Sequence, residues 1–417
     1  MVRRVLLSLI ALAVISAGVF ASGGREQATA QRTLVINSNL SDPVPRGAFA
    51  EVVDQFRAEY PEIDVRLNTF DHEAYKTAIR NFLAADPPDV ALWFAGNRMK
   101  FFVDQGLFED VSDVWRENDL FDSMASSRAT LTVNDRQYGV PWGYYQWGVY
   151  YRTDIFQRYG LSEPQTWDEF LQVSETLKRN NITPIAIGTK FLWTAGGWFD
   201  YLNLRINGMD YHMDLMLGNA SYLDPELDEV FGVWQNLLDR GYFLENHATY
   251  SWQEAQAPFI NGTAAMYLIG NFIVPDMEAA GVVDNVGFFQ FPIINPNVGV
   301  YEDAPMESYH IPSGARNKED ARLFLAFVSR PDIQAQFAYA TGNIPPNRYS
   351  PPPTDRFTLM GFEMLSAADG LAQFYDRDTS PEMASHGMQG FQEFMVNPGR
   401  LQQIRERVDA ERRNVFR

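Results

Sequence analysis

The sequence predicts an α/β fold, because β-strand patterns and amphipathic helix patterns alternate along the chain. Residues 33–38 form a short run rich in β-branched residues, and residues 48–60 carry apolar side chains at helical spacing. The same order returns in residues 63–85, and residues 88–94 give a third strand. Strands joined through helices in this way form a parallel sheet with right-handed crossovers.

The alternation resumes after residue 165, which predicts a second sheet. Thr166 and Glu169 have the spacing of a helix capping box, and residues 183–188 follow as a strand. The later patterns predict helices at 225–239 and 252–259, strands at 263–270 and 281–292, and a helix pair at 317–342 broken at Pro331. We therefore expect an α/β protein with two sheets.

Polar side chains follow the first three predicted strands. The carboxyl ends of parallel strands meet at one edge of a sheet, and α/β proteins bind their ligands at that edge. Asn39, Asp42 and Asp71 come directly after two of these strands, and Trp93 lies at the end of the third. The pattern predicts that these four side chains contribute to a ligand site.

Residues 1–21 have the layout of a secretory signal peptide. Arg3 and Arg4 form a basic head, residues 5–15 are apolar, and small residues lead to Ala21, after which we expect cleavage. An apolar run this short does not cross a bilayer, which needs about 20 residues. We expect an exported, periplasmic protein without a lipid anchor, since the chain has no cysteine to carry one.

Composition limits the partners and the source of stability. The formal charge is −19, or −21 once Arg3 and Arg4 are removed, and no basic run interrupts the acidic balance. This charge argues against nucleic acid or an anionic membrane as a partner. Without cysteine, stability must come from core burial, for which a mature chain of about 396 residues is long enough.

Residues 138–151 carry seven aromatic rings interrupted by glycine and proline. An aromatic face is apolar and negative, so it complements the C–H face of a sugar ring. Trp142 and Tyr144 adjoin Pro141 and Gly143, where the backbone is expected to bend, and we predict that both face a ligand. The rings within or beside the following strand are expected in a core: Trp147, Tyr150 and Tyr151.

Four segments resemble the extracellular sugar-binding components of ATP-binding-cassette (ABC) importers, the two-lobed family that includes the maltose-binding proteins. They are residues 85–111, 138–171, 257–272 and 317–345, and they follow the family's order over nearly the whole mature chain. The second segment contains the Val-Pro and Thr-Trp-Asp-Glu-Phe patterns typical of the family. The chain departs from the family where Arg152 replaces the usual Asn, Thr263 a basic residue, and Phe272 a Trp.

The resemblance implies a type II-like periplasmic-binding-protein fold in which each lobe is a sheet flanked by helices. The first lobe is expected to span residues 33–139 and 307–349, and the second residues 140–306 and 350–417. The resemblance also implies a monomer that closes on its ligand and delivers it to the transmembrane permease subunits. No chemistry on the ligand and no cofactor are expected.

Further site candidates come from this resemblance. Trp93 is expected to stack on a sugar, and Asn97 and Arg98 to bind its hydroxyl groups. In the second lobe, the family's pattern indicates Trp193 and Asn271. The return crossing and the C-terminal part add Glu307, Tyr309 and Arg377.

Two other classes of function remain open at this level. The solute could be a polyamine, a phosphodiester or a similar compound, although such sites rely on acidic clusters or cationic cradles rather than tryptophan. A secreted glycoside hydrolase would need two carboxyl groups roughly 5–10 Å apart, and nothing in the sequence marks such a pair. Five histidines without metal-ligand spacing predict no metal site.

Overall fold

The computed structural model describes residues 32–417, so the predicted signal peptide at 1–21 lies outside the described residues. The strands of the described part are β1 (Arg32–Ser38), β2 (Ile63–Thr69), β3 (Val90–Phe94), β4 (Thr132–Val133), β5 (Arg136–Gln137), β6 (Val140–Tyr144), β7 (Trp147–Arg152), β8 (Thr183–Ala186), β9 (Ala264–Gly270), β10 (Val286–Phe289), β11 (Tyr301–Asp303), β12 (Met306–His310) and β13 (Gly370–Ala372).

The α-helices of the same part are α1 (Pro43–Glu59), α2 (His72–Ala85), α3 (Asn97–Asp104), α4 (Ser112–Glu117), α5 (Leu120–Ser123), α6 (Thr153–Tyr159), α7 (Trp167–Arg179), α8 (Trp193–Ile206), α9 (Gly208–Met216), α10 (Glu226–Asp239), α11 (Gln256–Ile260), α12 (Val274–Ala279), α13 (Lys318–Val328), α14 (Pro331–Ala340), α15 (Arg356–Ala367), α16 (Tyr375–Asp378), α17 (Pro381–Val396) and α18 (Leu401–Val415).

The first sheet has the strand order β2-β1-β3-β12-β6. Strands β1, β2 and β3 are parallel, as the strand-helix alternation predicted. Strands β12 and β6 complete the sheet in antiparallel pairing. Helix α1 buries Phe49, Val52, Val53 and Phe56 at the predicted helical spacing, which covers one face of this sheet.

The second sheet has the strand order β10-β7-β9-β8. The predicted capping box is confirmed at the start of α7: the Thr166 hydroxyl accepts a hydrogen bond from the Glu169 amide, and the Glu169 carboxylate accepts one from the Thr166 amide. This sheet packs under α8 and the C-terminal helices, and together they form a second hydrophobic core.

The chain passes from the first sheet to the second at Tyr145 and Gln146. Strand β6 belongs to the first sheet and β7 to the second. The hydrophobic cores divide at the same point, because Trp142 lies in the first core and Trp147 in the second. The crossing therefore follows β6, whereas the sequence placed the lobe boundary before it, at residue 139.

The pair Gly196-Gly197 lies inside α8. A Cβ atom on Gly197 would lie 2.7 Å from Cζ3 of Trp147, closer than packed atoms allow. The absence of a side chain at Gly197 thus lets α8 approach the ring of Trp147.

No helix of residues 32–417 combines the length and the apolar character needed to cross a membrane.

Candidate ligand-binding cavity

A cavity of about 210 Å³ lies where the two sheets meet. Its lining comes from the carboxyl ends of the first-sheet strands, from both sides of the crossing at Tyr145, and from the helices and loops of the second core. The predicted position at the strand ends is therefore where the structure has a cavity, and the two sides of that cavity differ in chemistry.

The first-sheet side is polar, and we call it the polar wall: Asn39, Asp42, Asp71, His72, Glu73 and Lys76. Asp71 caps α2 by accepting a hydrogen bond from the Ala74 amide at 2.9 Å. Lys76 pairs with Glu73 at 2.7 Å. Two of the wall's charged groups thus neutralise each other.

His72 is a neutral hydrogen-bonding group at this wall. Burial, reinforced by Lys76 and Arg377, lowers the pKa of His72 to about 3. The Asn39 amide nitrogen, which can only donate, lies 3.5 Å from His72 Nδ1. A neutral imidazole has one donor and one acceptor nitrogen, so His72 offers hydrogen-bonding groups of both kinds at this wall.

The opposite side is aromatic, and we call it the aromatic wall: Trp147, Phe191, Trp193, Trp252, Phe272 and Phe374. Phe272 meets Trp252 edge-on with ring centroids 4.9 Å apart and Trp193 with centroids 6.1 Å apart. Trp147 meets Trp193 at 85° and 5.8 Å. These edge-to-face contacts fix the rings relative to one another.

An ionic cluster joins the two walls at the floor. Arg377 donates to Glu307 at 2.8 Å and to the Tyr145 hydroxyl at 3.2 Å, and its guanidinium lies 4.2 Å from the centre of the Phe94 ring. Burial acts to lower the pKa of Arg377, but Glu307, Tyr145 and Asp376 together raise it above its ordinary value. Burial raises the pKa of Glu307, an effect that Arg377 only partly offsets.

Four buried polar atoms of cavity-lining residues have no hydrogen-bond partner within residues 32–417: Arg377 Nε, Asn343 Oδ1, Trp142 Nε1 and Trp147 Nε1. An unmet buried donor or acceptor costs about 1–3 kcal/mol. Asn343 is only 3% exposed, and its amide nitrogen is already used by Thr341. Its free carbonyl oxygen is suited to accept a hydrogen bond from a ligand.

Seven of the thirteen predicted site residues line the cavity. They are Asn39, Asp42, Asp71, Trp142, Trp193, Glu307 and Arg377. They come from the predicted strand ends, from the aromatic crossing, from the start of α8 and from the two late segments. The structure brings these positions together although they span most of the chain.

Trp93 is not among the lining residues, which corrects the expectation that it faces the cavity. Its ring packs in the first core against Phe94 and Phe102, and its indole nitrogen donates to the Arg98 carbonyl. Successive side chains of a strand point to opposite faces. Because Trp93 points into the core, its neighbour Phe94 faces the cavity instead.

Asn97 and Arg98 also lie behind the cavity rather than in its lining. The Asn97 amide donates to the Asp378 carbonyl, which ties α3 to α16. Arg98 is buried against the rings of Trp93 and Phe94, with Asp376 at 3.9 Å. Asn97 and Arg98 thus contact Asp378 and Asp376, the neighbours of Arg377 in α16.

Tyr144, Asn271 and Tyr309 are likewise absent from the lining. The amide and carbonyl of Tyr144 pair with Ile344, and its ring packs against the first core. Asn271 is fully buried between Tyr150, Gly342 and Thr358, and its polar atoms are used within the protein. Tyr309 stacks on Phe49 in the first core.

Sequence reasoning missed much of the aromatic wall and part of the floor. Trp147 was assigned to the core and is 2% exposed, yet it also lines the cavity. Trp252 and Phe272 were not proposed, although Phe272 replaces a family Trp and so was detectable. No sequence pattern marked Phe374, Asn343 or Asp276.

Comparison with known proteins identifies the family. The sequence model described as "Bacterial extracellular solute-binding protein" matches residues 42–335. The chain belongs to this family. The family and its structural neighbours are substrate-binding receptors rather than enzymes.

Individual relatives agree with this assignment. An uncharacterized ABC transporter extracellular-binding protein of Pyrococcus horikoshii is 28% identical over 368 residues, which is 84% of this chain and 82% of the relative. The melibiose/raffinose/stachyose-binding protein of Bacillus subtilis is 27% identical over 326 residues, or 75% and 74% of the two chains. This protein is therefore the exported solute-binding component of an ABC transporter.

The solved structure of the bacterial solute receptor AcbH superposes with a TM-score of 0.88 at 29% identity, covering 93% of this chain and 100% of AcbH. Its description states an exclusive substrate preference for β-D-galactopyranose. The predicted α/β, two-lobed fold is confirmed by this match.

Proposed function

We propose that this protein captures a small saccharide in the cavity and delivers it to its permease. The observation that carries the proposal is the pairing of an aromatic wall with a polar wall. A sugar ring has apolar C–H faces and hydroxyl groups at its edge. Rings on one side bury the faces at about 25 cal/mol per Å², while donors and acceptors on the other side bind the hydroxyls.

The size of the cavity favours one pyranose ring over an oligosaccharide. Its volume of about 210 Å³ lies below the roughly 300–1,000 Å³ that drug-sized ligands occupy. The stated ligand of AcbH, β-D-galactopyranose, is also a single ring. D-galactose is therefore the first compound to test.

We assign the ligand contacts from the lining. Trp193 and Trp252 are half-buried rings of the aromatic wall to which we assign stacking on the sugar, and both contact Phe272. Asn39 and His72 bind hydroxyl groups from the polar wall, and Glu307, Arg377 and Asn343 bind them at the floor. A ligand that contacts both walls binds the closed arrangement better than an open one, so it shifts the population towards closure.

We further propose lobe bounds that follow sheet membership. The first lobe comprises residues 32–144 and 306–349, and the second comprises residues 145–305 and 350–417. The hinge then contains Tyr145 and Gln146, together with the return segment before β12 and the link to α15. The rest of the proposal is as the sequence indicated: cleavage after Ala21, a monomer, and no binding of nucleic acid.

Isothermal titration calorimetry with neutral monosaccharides, and native mass spectrometry for a co-purifying sugar, test the ligand class. We expect at least one hexose to bind with a one-to-one stoichiometry and to remain intact after prolonged incubation. Binding of a polyamine or phosphodiester with no response to any sugar would contradict the proposal. Release of a product would instead indicate a hydrolase.

A further inference from the structure

The cavity is lined by more negative than positive side chains, which bears on the charge of the ligand. The inference rests on the proposed saccharide site. Six carboxylates line the cavity: Asp42, Asp71, Glu73, Asp276, Glu307 and Asp376. The lining contains two cationic side chains, Lys76 and Arg377. The low pKa of His72 keeps that residue uncharged at neutral pH.

Both cations are already engaged by the protein. Lys76 pairs with Glu73 at 2.7 Å, and Arg377 pairs with Glu307 at 2.8 Å. Asp376 lies 3.9 Å from both Arg98 and Arg377. The lining therefore offers no uncommitted cation to balance a negative charge on a ligand.

Asp42 and Asp276 form no ion pair with any described residue, and both line the cavity: Asp42 belongs to the polar wall, and Asp276 lies in α12, which packs on the second core. Asp42 stands at the N-cap of α1 but does not cap it; its carboxylate instead accepts a hydrogen bond from Gln253 of the opposite side at 3.3 Å. Asp276 in α12 accepts one from Gln256 at 2.9 Å. Two neutral amides hold two carboxylates that have no counter-charge.

The two groups are close enough to affect each other. Burial raises the pKa of Asp42, the bond from Gln253 lowers it, and Asp276 and Asp71 raise it again. The nearby Asp276 and Asp71 therefore make Asp42 costlier to ionise. A positive group between them reverses the sign of that interaction, because unlike charges attract most strongly where water is excluded.

A second observation shows that this region is built for a ligand. The same cavity carries the aromatic wall, together with the buried, unpartnered Asn343 Oδ1 and Arg377 Nε. The carboxylates are thus part of a recognition surface rather than an isolated acidic patch.

We infer that Asp42 and Asp276 make the site selective for the charge of its sugar, so that a cationic amino sugar binds more tightly than the corresponding anionic uronic acid. A protonated amine is drawn to the unpaired carboxylates. A carboxylate on the ligand meets two like charges and no free cation, a juxtaposition that opposes binding.

Calorimetry with D-galactosamine, D-galactose and D-galacturonate, and with the matching gluco series, tests the inference at about pH 6, where the amine is protonated and the uronate ionised. We expect galactosamine to bind at least tenfold more tightly than galacturonate. A ratio below tenfold, or tighter binding of the uronate, overturns the inference. If neutral hexoses bind while the charged pair shows no such ratio, only this inference fails; if no sugar of either series binds, the proposed function fails with it.

The double variant Asp42→Asn and Asp276→Asn assigns the selectivity to these two residues, with Asp64→Asn as an exposed control away from the cavity. We expect the double variant to lower the amine-to-uronate affinity ratio at least tenfold and the control to leave it unchanged. A ratio that stays at its original value in the double variant contradicts the assignment. Raising salt from about 20 mM to about 300 mM should also reduce the original ratio, because Asp42 and Asp276 are partly exposed and dissolved ions screen such charges.

Discussion

The two walls of the cavity differ in how their side chains are held. On the polar wall, the side chains are fixed by hydrogen bonds or ion pairs, as Asp71 is by the Ala74 amide and Lys76 by Glu73. On the aromatic wall, the rings are fixed by one another and by the second core, as Trp147 is by Phe374 and α8. The same rings thus serve the fold and the ligand, whereas the polar groups can be changed with less harm to the fold.

The largest effect on stability and affinity is expected at Trp147, because this ring both packs in the second core and lines the cavity. Replacement by alanine leaves a cavity in the second core and should reduce the free energy of unfolding by about 3–5 kcal/mol. Sugar affinity should fall as well, since the ring lines the cavity. Trp234→Ala is the matched control, because Trp234 is fully buried in the same core and lies outside the lining.

Denaturant unfolding and calorimetry separate the two effects. Trp234→Ala should lose stability and keep its affinity. Equal affinity losses in both variants would mean that damage to the core, not contact with the ligand, weakens binding. If the alanine variants do not fold, Trp147→Phe and Trp234→Phe allow the same comparison, with smaller expected changes in stability and affinity.

The second effect concerns a ring of the aromatic wall that is only partly buried. Trp193→Ala should weaken sugar binding by roughly 1–3 kcal/mol, or about 5- to 150-fold, as truncation of a binding hot spot does. Its melting temperature without ligand should change little, because the ring is half-buried. Titration of this variant beside Phe362→Ala, an exposed ring away from the cavity, tests the expectation. A large drop in melting temperature with normal affinity would contradict it.

The third effect is a pH dependence of stability that arises from Asp378, a buried carboxyl in α16. Burial raises the pKa of Asp378 to about 6. Between its unfolded value near 4 and this folded value, the folded state holds a proton that the unfolded state has lost. Stability should therefore fall as pH rises through that window, by up to about 1.4 kcal/mol per pH unit.

Asp378→Asn should remove this slope, because an amide oxygen can still accept the bonds from the Gln373 and Phe374 amides without ionising. Urea unfolding at several pH values should show the variant gaining stability relative to the original protein as pH rises. The exposed residue Asp64 offers the control Asp64→Asn. A parallel pH dependence in all three proteins would refute the role of Asp378.

The smallest effect is expected on the polar wall. Asn39→Ala removes a single neutral hydrogen-bonding group, so affinity should fall by about 0.5–1.5 kcal/mol, roughly 2- to 13-fold. Asn118→Ala, outside the lining, should leave affinity unchanged. If Asn39→Ala lowered sugar affinity more than Trp193→Ala does, the polar wall rather than the aromatic wall would contribute more to binding.

The local sequence determined the order of strands and helices in the first lobe and the capping box of α7, because hydrophobic spacing and cap chemistry act over a few neighbouring residues. It also indicated that polar side chains follow the strand ends, and Asn39 and Asp71 line the cavity there. The family resemblance added the two lobes and the late positions Glu307 and Arg377.

Tertiary structure decided which rings face the cavity. Trp93 and Phe94 are adjacent large aromatics in one apolar strand, and only the packing of helices on the sheet determines which of them is buried in the core. Trp142 was predicted to face a ligand, and it both lines the cavity and packs on Phe337 with only 4% of its surface exposed. A sequence pattern can predict that a residue is apolar and lies in a strand, but the face that meets a ligand depends on contacts between segments far apart in the chain.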